Sequence, residues 1–138
     1  MKNLLDTCVI AEYQKPAPDI KVMNWLGSKI EESLFLSVLT VGEIEKGIAR
    51  LPASKRKNSL EIFLENLVTR FDRRILNLDT LILRRWGRLT GSLEKKGRVL
   101  PIVDSLLAAT ALEYNLTIVT RNTADFAETG ATVLNVWE

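Results

Sequence analysis

Five short apolar runs, near residues 2–5, 34–37, 75–78, 117–120 and 132–136, are separated by stretches whose apolar residues recur every three to four positions. That alternation restricts the fold more than any other feature of the chain. Short runs bounded by polar or turn-forming residues read as strands. Between them, Leu60, Phe63, Leu64, Leu67, Val68 and Phe71 follow the i, i+3, i+4, i+7 spacing of one buried helical stripe, and Ile82, Trp86, Leu89 and Leu93 form another. Residues 7–14, 19–32, 40–50 and 101–114 also read as helical, with Pro16, Pro18, Pro52 and Pro101 as punctuation. Strands alternating with helices imply a short parallel sheet of about four to five strands covered on both faces, an α/β fold. At 138 residues and 46% hydrophobic, the chain has material for one core, so residues 1–138 are expected to form a single domain.

Two absences narrow the chemistry. There is no histidine and only one cysteine, Cys8, which removes Ser-His nucleophiles, imidazole-ligated metals and an internal disulfide. Any hydrolysis must then run on carboxylates and a metal. Apolar runs fall far short of a bilayer span, and Met1-Lys2-Asn3 leads straight into the first strand, so a cytoplasmic location is expected. The net charge of +2 hides an asymmetry. Residues 50–98 carry 13 Lys+Arg against 5 Asp+Glu, a balance of +8, whereas the remainder carries 6 against 12, a balance of −6. A basic middle beside acidic flanks suits a polyanion held near a cation-binding pocket, or else two solvated helix faces.

Four acids stand where apolar runs give way to helical segments: Asp6, Glu43, Asp104 and Asp125. In an open parallel sheet the carboxyl ends of the strands form the ligand crevice, so these acids are placed to share one pocket. Crowded carboxylates repel, and a divalent cation with a preference for hard oxygen ligands, Mg²⁺ or Mn²⁺, relieves that repulsion. Each acid also has a local explanation as a helix cap. Thr40-Val41-Gly42-Glu43 has the form of a capping box, Asp6 suits the start of a helix from Thr7, Asp104 suits the start of its own, and Asp125 follows Asn122 in a similar turn. The caps account for the acids singly but not for their repeated position. Glu12, Asp19, Glu31, Glu32, Glu61, Glu65, Glu94 and Glu128 lack a strand-end context and are expected to be solvated.

Four motifs in order carry a resemblance over almost the whole chain. They are Leu4-Leu5-Asp6-Thr7; Ser37-Val38-Leu39-Thr40-Val41-Gly42-Glu43-Ile44 with Gly47; Pro101-Ile102-Val103-Asp104-Ser105-Leu106-Leu107-Ala108-Ala109-Thr110-Ala111; and Val119-Thr120-Arg121-Asn122-Thr123-Ala124-Asp125-Phe126. With these the chain resembles the PIN-domain ribonucleases, especially the VapC-like toxins of bacterial and archaeal toxin–antitoxin pairs. The resemblance implies a three-layer sandwich and a metal site built from Asp6, Glu43 and Asp104, with Asp125 as the fourth acid. Some members have an acid at the position of Asn122. Thr7, Thr120 and Asn122 would orient the acids through hydrogen bonds, and Cys8, where relatives often carry Ser or Asn, is given no chemistry.

The activity so implied is Mg²⁺- or Mn²⁺-dependent hydrolysis of RNA, with water as the nucleophile and 5′-phosphate and 3′-hydroxyl ends as products. RNA would be gripped by the basic middle, from Arg50, Lys55, Arg56, Lys57 and Arg84 through Arg85, Arg88, Lys95, Lys96 and Arg98, with Arg121 beside the acids. Single-stranded or looped RNA suits a recessed site better than a duplex. Trp25, Trp86 and Trp137 offer stacking surfaces, although Trp86 lies on an apolar stripe. The implied partners are a VapB-like antitoxin, whose peptide lies across the groove, and a second copy of the chain, with Leu81, Leu83 and Trp137 as apolar contacts. Two other readings fit the same acids: a receiver-like domain phosphorylated on one aspartate, and a binding domain whose acids only cap helices.

Overall fold

The computed structural model describes residues 1–138. Its five strands are β1 (Asn3–Leu5), β2 (Leu34–Ser37), β3 (Ile75–Leu76), β4 (Thr117–Val119) and β5 (Val133–Leu134), all parallel and ordered β3-β2-β1-β4-β5. The chain builds outward from β1 to β2 and β3, then returns to the other side of β1 for β4 and β5. The order therefore reverses between β1 and β4, where a crevice opens beyond the carboxyl ends of the strands.

Strand side chains alternate between faces, and the two halves of the core follow that period of two. Leu5, Leu34, Leu36 and Val119 point into one cluster, whereas Leu4, Phe35 and Ile118 point into the other. Helices α1 (Thr7–Glu12), α2 (Ile20–Gly27), α3 (Val38–Ala49) and α4 (Lys55–Arg70) cover the first face, contributing Val9, Ile10, Val22, Leu26, Ile48, Leu64 and Leu67. Helices α5 (Thr80–Lys95) and α6 (Ile102–Tyr114) lie on the second, with Leu89, Leu107, Ala108 and Ala111. The result is the expected three-layer α/β sandwich. Small residues Ala108, Ala109 and Ala111 are all essentially inaccessible, which brings α6 close to the sheet. Each fully buried leucine contributes roughly 1.5–3 kcal/mol, against about 0–1 kcal/mol for an exposed ion pair, so layer packing and not surface charge positions the helices.

Helix boundaries follow local chemistry. Asp19, Ser37, Ser54 and Asp79 each accept a backbone N–H at the start of α2, α3, α4 and α5. Asn115, at φ 53°, closes α6 in the left-handed conformation that Asn tolerates. Strands expected at 75–78 and 132–136 are only two residues long, because Asp79 starts α5 and Asn135 Oδ1 turns the chain by accepting the Trp137 N–H at 2.9 Å. Val68, assigned to the buried stripe of α4, is 37% exposed and falls off its edge.

The capping box expected at Thr40 and Glu43 does not form. Helix α3 begins two residues earlier, at Val38, because Ser37 Oγ accepts the Leu39 N–H at 3.0 Å and the strand passes straight into the helix. Thr40 is buried within the first turn and its hydroxyl has no partner, so Glu43 is free of any capping duty.

Several acids expected in solvent are engaged instead. Glu12 is 1% exposed and accepts from the Asp19 N–H at 2.9 Å, from Lys15 Nζ and from Trp137 Nε1 at 3.3 Å. The Asp19 N–H, with help from Lys15 and Trp137, holds its carboxyl below the usual glutamate range. Its position at the end of α1 turns the side chain inward, beneath the loop through Pro16 and Pro18. Asp19 caps α2, Glu31 is bound by Arg70 at 2.7 Å and Arg74 at 3.0 Å, and Glu128 pairs with Arg98 at 3.3 Å. No helix is long and apolar enough to cross a membrane.

Candidate functional site

Asp6 follows β1 directly, and the β1–β4 ladder continues through it: its N–H donates to Val119 O at 3.0 Å. Its two carboxylate oxygens are divided between duties. Oδ1 accepts the Thr7 N–H at 2.8 Å and caps α1, and Oδ2 accepts the Thr120 hydroxyl at 2.7 Å. The cap and the pocket are therefore the same side chain. Thr120, wholly buried just past β4, is itself fixed by the Asn122 N–H, which donates to its Oγ1 at 3.0 Å. Cys8 packs beside this pair, with Sγ 3.9 Å from Asp6 Oδ2 and 3.6 Å from Thr120 Oγ1. Burial raises its thiol pKa, as does the Asp6 charge, against the lowering effect of the Arg121 N–H and the Thr120 hydroxyl.

Glu43, in the second turn of α3, accepts the Thr7 hydroxyl at 2.6 Å, so Thr7 joins the start of α1 to the acid on α3. Asp104 lies in the first turn of α6 and is half-buried. Its carboxyl pKa is raised, first by burial and then by the charges of Asp125, Asp6 and Glu43. All four acids thus act electrostatically on one region. Asp125 sits in a single 3-10 turn, Thr123–Phe126, held by its N–H to Asn122 O at 3.1 Å and by the buried ring of Phe126.

The first turn of α6 is braced from α5. Trp86 Nε1 donates to Ser105 Oγ at 2.8 Å, and Ser105 Oγ in turn donates to Ile102 O at 2.8 Å. Trp86 is only partly buried, and its indole N–H fixes the residue next to Asp104. Trp137 is 9% exposed, so it is neither a free stacking platform nor an exposed contact; Arg121 lies over its ring at 5.3 Å. Leu81 and Leu83 are exposed, at 59% and 45%.

Among the expected RNA contacts, Arg85 pairs with Glu113 at 3.1 Å, Arg98 with Glu128, and Arg121 stacks on Trp137, whereas Arg88 and Lys96 are exposed and unpaired. Lys46 was not among the basic residues singled out in the sequence. It lies three residues past Glu43 on α3, and with Glu43, Arg50 and Val103 it lines a cleft beside the acids. The i, i+3 spacing from Glu43 was the available signal.

No three His, Cys, Asp or Glu side chains are set closely enough to enclose an ion as they stand. The donor set still fits a hard divalent cation. It is all carboxylate, its charges oppose one another at Asp104, and Mg²⁺ characteristically keeps several waters and takes one or two carboxylates directly. Asp6, Glu43, Asp104 and Asp125 are the residues that would hold such an ion, directly or through its retained waters.

Fold and site together define a parallel α/β protein with an acidic crevice at its topological switch point. The family model for the PIN domain matches residues 4–131, and the chain belongs to that family. It is 37% identical over 136 residues to the plasmid stability protein StbB of Pseudomonas syringae pv. tomato, with 98% of each chain covered. A VapC ribonuclease of Sinorhizobium fredii is 34% identical over 136 residues, covering 98% of this chain and 97% of its own. The crystal structure of FitAcB from Neisseria gonorrhoeae superposes with a TM-score of 0.91 at 36% identity, covering 98% of both chains. PIN-domain nucleases use a divalent metal, and membership in the family removes the receiver-like alternative.

Proposed function

We propose that residues 1–138 act as one unit, a metal-dependent endoribonuclease toxin that hydrolyses RNA and is restrained by a VapB-like antitoxin. The observation that carries this reading is the bridge made by Thr7 between acids from two elements: its N–H donates to Asp6, just past β1, at 2.8 Å and its hydroxyl donates to Glu43 of α3 at 2.6 Å, while burial and then the charges of Asp125, Asp6 and Glu43 raise the pKa of Asp104. Asp6, Glu43, Asp104 and Asp125 hold Mg²⁺ or Mn²⁺, with Thr7, Thr120 and Asn122 orienting them. When bound, the ion supplies a water of lowered pKa and offsets charge on the scissile phosphate. Thr120 keeps Asp6 Oδ2 aimed across the β1–β4 boundary, Thr7 does the same for Glu43, and the Trp86–Ser105 contact holds the turn that carries Asp104. Arg121, Arg88 and Lys96 take RNA phosphates, and Arg85 and Arg98 join them on leaving their glutamate partners. The cytoplasm, where RNA and antitoxin meet, is the expected location.

The chemistry is tested by mapping the ends of RNA cut by purified protein. With Mn²⁺ the products should carry 5′-phosphates, and chelator should stop the reaction; 2′,3′-cyclic ends or chelator-resistant cutting would exclude this reading. Thr120→Val keeps the shape of the side chain but removes both hydrogen bonds. It should weaken Mn²⁺ binding by roughly ten- to a hundredfold, measured calorimetrically, and lower stability by about 1–3 kcal/mol through the unpaired Asn122 N–H.

The partner reading draws on names and shape. Similar structures hold complexes entitled FitAB and VapBC. Here an apolar groove runs between α1, α3 and α4, lined by Ile10, Ile44, Ile48, Leu51 and Phe63 with Lys15 and Arg56 on its rim. It suits an apolar peptide carrying acidic residues. Leu81 and Leu83 offer apolar surface to a second copy. Sedimentation of the toxin with and without its co-expressed partner should give a dimer and a larger complex; a monomer that ignores the partner would remove both assignments.

A further inference from the structure

We infer that Lys46, on the exposed edge of α3, and Arg50, the residue that caps its C-terminus, form a phosphate track that leads single-stranded RNA into the acid site along the cleft between α3 and Val103. This rests on the ribonuclease reading and gives it a direction of substrate entry.

Four carboxylates repel a polyanion, so an RNA strand can approach them only where positive charge stands nearby. At physiological ionic strength that influence fades over about 8 Å. Glu43, Lys46 and Arg50 are spaced i, i+3, i+7 and share one helix face; at 1.5 Å per residue Lys46 lies about 4.5 Å and Arg50 about 10 Å along the axis from Glu43. Both cations are exposed and line the same cleft as Glu43 and Val103, the latter adjoining Asp104. Neither is paired with a carboxylate, in contrast to Arg70, Arg74, Arg85 and Arg98. Along the helix axis they stand about 6 Å apart.

The opposite edge of α3 has the reverse charge. Glu45 faces a surface hollow shared with Glu61 and Glu65 of α4. RNA is therefore repelled from the hollow of Glu45, Glu61 and Glu65 and attracted to the cleft on the other edge of α3. Gly42 lines the same cleft beside Glu43.

The test uses the full chain and a fluorescein-labelled single-stranded 12-nucleotide RNA of mixed sequence, with chelator present to prevent cleavage. Lys46→Gln/Arg50→Gln should raise Kd about tenfold or more. It should also flatten the dependence of log K on log salt by about 1.4, the value for two lost single-strand phosphate contacts. Lys21→Gln, at an exposed position on α2, should leave Kd within about twofold and change the slope by no more than about a third of that amount. In separate assays with Mn²⁺, the double variant should raise KM with kcat within about twofold, and its thermal melting should match the unaltered chain. Wild-type affinity and slope in the double variant, an equal loss from Lys21→Gln, or no measurable RNA binding by the unaltered chain would each overturn the track. If the unaltered protein grips RNA through these residues yet never cuts it, the ribonuclease reading fails and the track stands. If it cuts RNA and the double variant binds and cuts equally well, the track alone fails.

Discussion

Changing Asp104 to Asn is expected to reduce RNA cleavage by at least about a thousandfold while raising the melting temperature of the metal-free protein. The two effects have opposite signs because one charge serves two states. Under the proposed function Asp104 is a charged metal ligand, whose loss removes several kcal/mol of transition-state stabilisation, and about 4 kcal/mol corresponds to a thousandfold. Without the ion, the same charge is half-buried and faces Asp125, Asp6 and Glu43. A carboxyl whose folded pKa lies above its unfolded value is a net cost when ionised. Its contribution favours folding below the unfolded pKa and is lost as pH rises through the folded one. Metal-free protein should therefore gain stability from Asp104 on mild acidification from neutral pH, and Asp104→Asn should flatten that part of the profile. Thermal melts across pH in chelator, beside cleavage assays in Mn²⁺, read both effects. A variant that melts lower than the unaltered protein at pH 7 would show that Asp104 is a structural cap and not part of a crowded site.

Glu12→Ala should produce the largest loss of stability among the acids outside the site. Truncation leaves the Asp19 N–H, Lys15 and the Trp137 indole without their acceptor, and a buried donor left unpaired costs about 1–3 kcal/mol. The melting temperature should fall by roughly 4–10 °C. The sign of the pH dependence is opposite to that of Asp104. Glu12 has a lowered pKa, so its contribution is present above the unfolded value of about 4.3 and is lost as pH falls through the folded value. Glu12→Ala should thus narrow the gap to the unaltered protein at low pH. Glu12→Gln keeps one acceptor for the Asp19 N–H and should fall between the two. If Glu12→Ala melts within 1 °C of the unaltered chain, about the resolution of such melts, the network is not structural.

Layers and strand positions were legible because periodicity reports burial directly. Leu4 and Leu5 point to opposite faces as alternation requires, and the stripe from Leu60 to Phe71 needed only Val68 corrected. Asp6 stands directly after β1 as the boundaries suggested, but Asp104 follows no strand, since α6 comes straight after the loop from α5, and Glu43 lies in the second turn of α3. Local signals misled where two explanations shared one sequence pattern: Thr40-Val41-Gly42-Glu43 has capping-box spacing, but Ser37 had already opened the helix. Glu12 was misread because its partners, at positions 19 and 137, are set by tertiary packing that no window of sequence contains. Arg85 and Arg98 looked like free cations for the same reason, since their glutamates come from other elements.

Because β1 lies between β2 and β4, the first strand to leave the ribosome is also the one that must wait for nearly the whole chain before both its edges are paired. Thr120, Asp125 and Asp104 all arrive late in synthesis, and Asp6 has no partner across the crevice until they do. A nascent or prematurely terminated polypeptide therefore lacks half of its acids and the strand that orients the rest.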